Sequence, residues 1–490
     1  MSLPAASFRP LSLCALAAAA TLVLAGCSNS FVGGAGQVKE LEMQGPEVLA
    51  DANGSGVDVS ARLFDSSDSV VVAVNDRDAQ LRAVALANDI GAPLLVRTPG
   101  SQEAVDAEIS RLGASEVIEV TADSHQEVEP LDVPGPGREA EAIAKLQPAH
   151  PLDIALPPML ATEETSVAAA GTAKAAGAHV SVVFTADPRA TAESMRTVSE
   201  KDAIALGQQW GTSEEFSKRV ELAGNGELPG GGGLLFPGRR MIALYGHPSG
   251  PALGVLGEQP PAEAAQRAKE YAEKYQALDT QPIIPAFEII VTVASNSPGD
   301  DGDFSNETDP TQVVPYIDAI TEIGGYAVLD LQPGQGDFLR QAKLYKELLK
   351  RPNVGLALDA EWKLHPGEQP LSRVGSATAE EINVVADWLA QLTRDNNLPQ
   401  KVFVLHQFQV AMFPDRENIR TEHPELAYVL HADGHGTPGQ KFDTFNVLRQ
   451  GLDPNFHLAW KNFIDEDTPM FTPEQTFHEV EPRPWFVSYQ

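Results

Sequence analysis

The sequence predicts an α/β protein in two parts, with flavodoxin-like parallel α/β units in the N-terminal half and a (β/α)8 TIM-like barrel over 239–490. Three observations predict it. Short apolar runs alternate with helical patterns between residues 62 and 120, the spacing of a parallel sheet covered by helices. Eight further apolar runs follow between 241 and 489, most of them separated by helical stretches. The segment that holds them has the length of about 250 residues usual for such a barrel.

Before the first strand the chain carries an address. Arg9 precedes an apolar run over 11–24 that ends in Leu24-Ala25-Gly26-Cys27. The run is too short to span a bilayer stably and has the build of a secretory signal. Its ending resembles the lipobox of bacterial lipoproteins. That resemblance implies cleavage before Cys27, diacylglyceryl attachment to its sulfur, and a place on the extracellular face of the bacterial cell membrane. The chain has two cysteines, and Cys14 lies inside the signal, so the mature chain has no intramolecular disulfide. The 35 Lys and Arg stand against 68 Asp and Glu, a net charge of −33 that excludes nucleic acid and anionic lipid surfaces as partners.

Residues 28–60 are rich in Gly, Ser, Asn and Asp without periodicity, and are expected to form a flexible tether. Order is expected from 61. Val70-Val-Val-Ala-Val74 reads as a buried strand, 79–90 as an Ala-rich helix, Pro93-Leu-Leu-Val96 as a strand, 101–112 as a helix and Glu116-Val-Ile-Glu-Val120 as a strand. The words Asp78-Ala79-Gln80-Leu81, Gly91-Ala92-Pro93-Leu94-Leu95 and Leu112-Gly113-Ala114 between these strands resemble the cell wall-binding repeat 2 family. The likeness covers 61–225 and implies attachment to the bacterial envelope. A second unit over 162–223 would use 180–184 and 203–207 as strands, with Gln208-Gln209 where the family has two glycines. Residues 132–148 read as a Pro- and Gly-rich loop. Residues 226–238, with four consecutive glycines at 230–233, read as a linker between independent halves.

The barrel strands are expected at 241–247, 283–294, 326–332, 354–362, 402–410, 427–432, 457–463 and 485–489. Asp309-Pro310-Thr311-Gln312 opens a helix that Gly324 ends, and Thr378-Ala379-Glu380-Glu381 is a capping box before apolar residues at helical spacing. Polar residues recur at the strand ends where a pure scaffold would be apolar: Tyr245, His247, Glu288, Asp330, Gln332, Asp359, Glu361, His406, Gln407, His431, Asp433 and Lys461. Such clustering perturbs proton affinities, as acid and base catalysis requires. In the fourth strand, alternation puts Val354, Leu356 and Leu358 on one side and Ala357, Asp359 and Glu361 on the other.

Leu358-Asp-Ala-Glu-Trp362 is similar to the Asp-x-Glu strand ends of barrel glycosidases of families 18 and 25. That similarity implies Glu361 as general acid and Asp359 as the group orienting a substrate acetamido as internal nucleophile. Asp330 and Asp433, acids at other strand ends, are the further catalytic candidates. The further Asp that family 18 carries two residues earlier is Ala357 here. Tyr245, His247, Glu288, Gln332, Trp362, His406, His431 and Lys461 are the expected substrate contacts, and Trp388, Trp460 and Trp485 are further aromatic candidates for sugar stacking. A metal reading would gather His431, Asp433, His435, His406 and His247. No HExxH or HxH pair supports it, so the histidines are expected to be scattered and hydrogen-bonded, with no metal or other cofactor. The chain thus reads as a lipid-anchored hydrolase of cell-wall or N-acetylhexosamine glycans, or alternatively as a non-catalytic glycan-binding lipoprotein.

Overall fold

The computed structural model of the chain describes residues 36–123, 129–149, 154–200 and 202–490. The expected signal peptide and Cys27 lie outside them. Among the described residues, no helix is long and apolar enough to cross a membrane.

Two small parallel sheets make up the N-terminal part. In the first, Ser69–Val74 lies between Leu94–Arg97 and Glu116–Val120. Helix Arg77–Ile90 follows the central strand; the Asp76 side chain accepts the Ala79 N–H, and Gly91 at φ 66° ends it in the left-handed conformation that a β-carbon disfavours. The second sheet runs Glu47–Leu49, Ile204–Leu206, Met159–Ala161, Val180–Val182, all parallel. This corrects two expectations. The expected tether is ordered over much of its length: Gln37–Val38 pairs with Phe64–Ser66, Glu47–Leu49 is a sheet edge, and helix Val57–Leu63 buries Val59 and Leu63. Strands of two and three residues show no alternation, so composition alone hid them. The 132–148 loop also contains a short helix, Glu139–Ala144, anchored by buried Ile143.

Eight parallel strands close into a barrel: β1 Arg240–Gly246, β2 Ile283–Ala294, β3 Tyr326–Leu331, β4 Val354–Asp359, β5 Lys401–Gln407, β6 Leu426–Ala432, β7 His457–Asn462 and β8 Phe486–Tyr489. Each pairs with its sequence neighbour, and β8 returns to β1. The helix opened by Asp309 spans Pro310–Glu322, and the capping box at Thr378 starts Ala379–Asp395 with both reciprocal hydrogen bonds. Leu356, Leu358, Phe403 and Leu405 face the surrounding helices, while Ala357, Val402 and Val404 face the barrel interior. The alternation drawn for the fourth strand therefore holds as far as Asp359. There the strand stops, and Ala360–Trp362 forms a 3-10 turn that carries Glu361.

The glycine run is not a loose linker. Leu228, Leu235 and Phe236 are buried in the cluster that fills the lower barrel, against Met241, Ile284, Tyr326 and Val402. Gly230, Gly231 and Gly232 all have φ between 75° and 90°, and a β-carbon on Gly232 would lie 2.9 Å from the carbonyl oxygens of Arg189 and Ala190. The run is thus a backbone requirement of a close approach. Gly233 N donates to Arg189 O at 2.8 Å, Leu235 N to Gln400 Oε1 at 2.9 Å, and Arg189 Nη1 to Pro424 O at 2.6 Å. The N-terminal part and the barrel share this seam. Burial of the leucines and Phe236 offsets the ordering cost that the glycines alone could not.

Candidate active site

Barrel alternation decides which side chains enter the interior, and it does so in layers. Ala243, Ala286, Val328, Ala357, Val404, Val429 and Ala459 belong to the apolar lower interior. Two residues further on in the same strands stand Tyr245, Glu288, Asp330, Asp359, His406, His431 and Lys461, and β8 contributes Ser488 two residues after Phe486. A complete ring of polar side chains therefore sits on a floor of alanine and valine. All are 0–3% exposed.

The ring is knit by hydrogen bonds. His406 bridges two strands, with Nε2 at 2.8 Å from Glu288 Oε1 and Nδ1 at 2.9 Å from Asp433 Oδ2. Tyr245 donates its hydroxyl to Asp330 Oδ2 at 2.9 Å. His431 Nε2 is 3.0 Å from Ser488 Oγ. The Lys461 ammonium lies over the Tyr245 ring, 3.6 Å from its centroid. Several buried atoms are left without a partner: Glu288 Oε2, Asp330 Oδ1, His431 Nδ1 and Asp433 Oδ1. Buried polar atoms are rarely orphaned, and their concentration here marks the mouth as built for something besides stability.

Above the ring opens a cavity of about 650 Å³. Tyr245, Gln332, Asp359, Glu361, Trp362, Asp433 and Lys461 line it, as do Phe408, His435 and Phe463. Asp359 and Glu361 thus share one cavity even though the strand ends between them. Asp359 Oδ1 accepts the Glu361 N–H at 3.1 Å and so holds the 3-10 turn in place. Burial, then the neighbouring Asp330, pushes the Asp359 carboxyl well above its usual range. Burial, then the charge of Asp433, raises Glu361 to about 7. Burial also raises Asp330, to about 6. Asp433 goes the other way: burial opposes its ionisation, but the His406 hydrogen bond and charge hold its carboxyl below the ordinary value. Environments that drive carboxyls apart in this way are what assign an acid and an anion in one site.

The remaining expected contacts lie elsewhere. Glu288, His406 and His431, and with them Asp330 from the expected catalytic set, are part of the ring beneath the cavity and have no place in its lining. His247 stands outside, bonded to Ser249 Oγ at 2.7 Å and Thr308 Oγ1 at 2.9 Å. Gln407 holds Arg416 through its amide oxygen. Trp460 stacks on Phe471 in the helix layer, Trp485 packs near Phe236 at the barrel floor, and Trp388 packs on the helix layer; of the tryptophans only Trp362 reaches the cavity. The five-residue metal set is not assembled, yet the histidines are not scattered either. His406 and His431 converge with Glu288. Ser488 was missed by sequence reasoning, although the same alternation through Phe486 reaches it; Phe408 and Phe463 were missed too, although they lie two residues beyond His406 and Lys461, in phase with the interior.

No family model matches the chain, and no curated protein matches it. Among solved structures, that of oxaloacetate acetylhydrolase in complex with the inhibitor 3,3-difluorooxalacetate is similar at 13% identity and a TM-score of 0.31, over 51% of this chain and 75% of that one. What the architecture itself carries is a closed barrel of eight parallel strands, TIM-like, preceded by parallel α/β units.

Proposed function

We propose that the barrel mouth hydrolyses glycosidic bonds, with Glu361 as the general acid and Asp433 as the anionic partner. The observation that carries this reading is the Glu361 carboxyl itself: it lines the cavity, keeps its proton to about pH 7, and shares the cavity with a second carboxylate that His406 orients. Glu361 protonates the bridging oxygen as the bond from that oxygen to the anomeric carbon breaks. Asp433, whose Oδ1 is unpartnered, takes a proton from the water that adds to that carbon. Asp359 keeps its own proton and its Oδ1 is already engaged, so it is poorly suited to assist an acetamido group as internal nucleophile. Its part is to set the turn that aims Glu361. Trp362, Phe408 and Phe463 offer apolar faces for sugar rings.

The substrate class we assign is a cell-wall or other N-acetylhexosamine glycan. It is supported by the Leu358-Asp-Ala-Glu-Trp362 similarity and by the envelope address in Leu24-Ala25-Gly26-Cys27. The reading is tested by incubating the wild type and Glu361→Gln with a panel of such glycans and following released reducing ends. Hydrolysis by the wild type that falls at least 100-fold in Glu361→Gln supports it. An inactive wild type that still binds a glycan would replace it with the binding-protein reading. The address has its own test. Cys27→Ser should move the protein from the membrane fraction to the medium or leave a precursor of higher mass, and unchanged membrane retention would refute it.

A further inference from the structure

We propose that Glu288, His406 and His431 form a binding site for one divalent transition-metal ion of the zinc type, on the floor of the barrel mouth. One carboxylate oxygen and two ring nitrogens from β2, β5 and β6 lie within 4.8 Å of one another. All three side chains are 0% exposed. Ligand atoms around a tetrahedral ion with bonds of about 2.0–2.1 Å stand roughly 3.3 Å apart. Here His431 Nδ1 is 3.7 Å from Glu288 Oε2, and neither atom has a hydrogen-bond partner. A separation too long for a hydrogen bond between two orphaned, fully buried ligand atoms is what an ion between them would explain.

The surrounding groups orient the ligands. His406 Nδ1 faces Asp433 Oδ2 at 2.9 Å, which directs Nε2 toward Glu288; the hydrogen bond that Nε2 makes there to Oε1, at 2.8 Å, would give up its proton when the ion binds. Ser488 Oγ stands 3.0 Å from His431 Nε2 and would accept its proton in the metal-bound tautomer, in which Nδ1 turns its lone pair toward Glu288. Carboxylates and hydroxyls that fix the far nitrogen of an imidazole are the usual second partners of metal-binding histidines. Asp330 Oδ1, unpartnered and 3.9 Å from His406 Nε2, is a further carboxylate oxygen beside the site. Two imidazoles favour zinc, copper, iron or nickel over magnesium, calcium and manganese, which prefer oxygen-rich sites.

The test reads metal binding, not hydrolysis, so it stands or falls apart from the glycosidase reading. The full chain is stripped with a chelator, dialysed, and titrated with Zn²⁺ and Mg²⁺ by calorimetry. One Zn²⁺ per chain, no measurable Mg²⁺ binding, and a loss of Zn²⁺ affinity of at least 100-fold in both Glu288→Gln and His431→Ala are expected. Asp433→Asn should lose about 10-fold to 100-fold, as an orienting partner does. The carboxylates Asp301, Asp303 and Glu307, gathered around Arg340, provide the control. Zn²⁺ binding that survives Glu288→Gln but disappears in Asp301→Asn overturns the proposal. Should the buried variants fail to fold, Co²⁺-loaded wild type decides. Intense visible bands of a four- or five-coordinate ion, bleached by one equivalent of Zn²⁺, uphold the site, and the pale spectrum of hydrated Co²⁺ overturns it.

Discussion

The two ends of the barrel are built by the same strands and the same alternation, yet they hold opposite chemistries. At the floor, Ala243, Ala286, Ala357, Val404 and Val429 fill the interior, and Leu235 and Phe236 from the preceding segment close it. Two residues along each strand the interior turns to carboxylates, imidazoles, Tyr245, Lys461 and Ser488, with unpartnered atoms among them. The lower end spends its burial on stability, since small aliphatic side chains pack densely with no polar cost. The upper end gives up part of that gain to hold charges out of water, where a carboxyl such as Glu361 keeps its proton. Conserving volume at one end and proton affinity at the other is how a barrel separates folding from chemistry.

Substitutions at the two ends should therefore fail in different measurements. Glu361→Gln preserves shape and should lower kcat on a hydrolysed glycan by about 10²-fold to 10⁴-fold while leaving the thermal midpoint within a few degrees. Phe236→Ala removes a floor side chain that is 2% exposed and should cost about 3–5 kcal/mol in chemical denaturation, with kcat of the folded fraction unchanged. Equal loss of activity and stability in both variants would break the separation.

The same comparison explains what was legible in the sequence. All eight barrel strands were visible, because most carry an apolar run long enough to show its period and the shorter ones fall at the expected spacing after them, and both helix caps were visible because capping is local. The polar ring was visible residue by residue except for Ser488, whose short strand offered one interior neighbour. What escaped depended on distant contacts. Glu47–Leu49 becomes a strand only because Ile204–Leu206 lies beside it. The glycines at 230–233 look like a linker until Arg189, Gln400 and the barrel floor are brought against them. Glu288 was expected to touch substrate, and no local pattern shows that His406 and His431 reach it from strands more than a hundred residues away.

Limited proteolysis sharpens the point about the floor. A free linker at 230–233 would be cut quickly, releasing the two halves. With Arg239 hydrogen-bonded to Leu234 O and to Pro229 O, and with Leu228 and Leu235 buried, the native protein should resist cleavage there. Phe236→Ala should restore it, with cleavage at 230–233 at least 10-fold faster. Rapid cutting of the wild type at these glycines would show that the seam opens independently of the barrel.

The smallest expected effect lies in the pH dependence of stability, and it comes from the mouth. Glu361 has an ordinary carboxyl pKa near 4.5 once unfolded and about 7 in the folded protein. The folded state therefore binds its proton more tightly, and the stabilisation from this is full below about pH 4.5 and lost as pH rises through 7. Because the side chain is only partly buried and solvent relaxes around it, the difference between wild type and Glu361→Gln should amount to about 1 kcal/mol between pH 6 and pH 8.5. Measured by urea denaturation, the wild type should lose more stability over that interval than the variant does. Parallel curves would mean that the Glu361 proton leaves well below pH 7, and the acid assigned to it would have to be sought in Asp359, whose deeper burial holds its proton more firmly still.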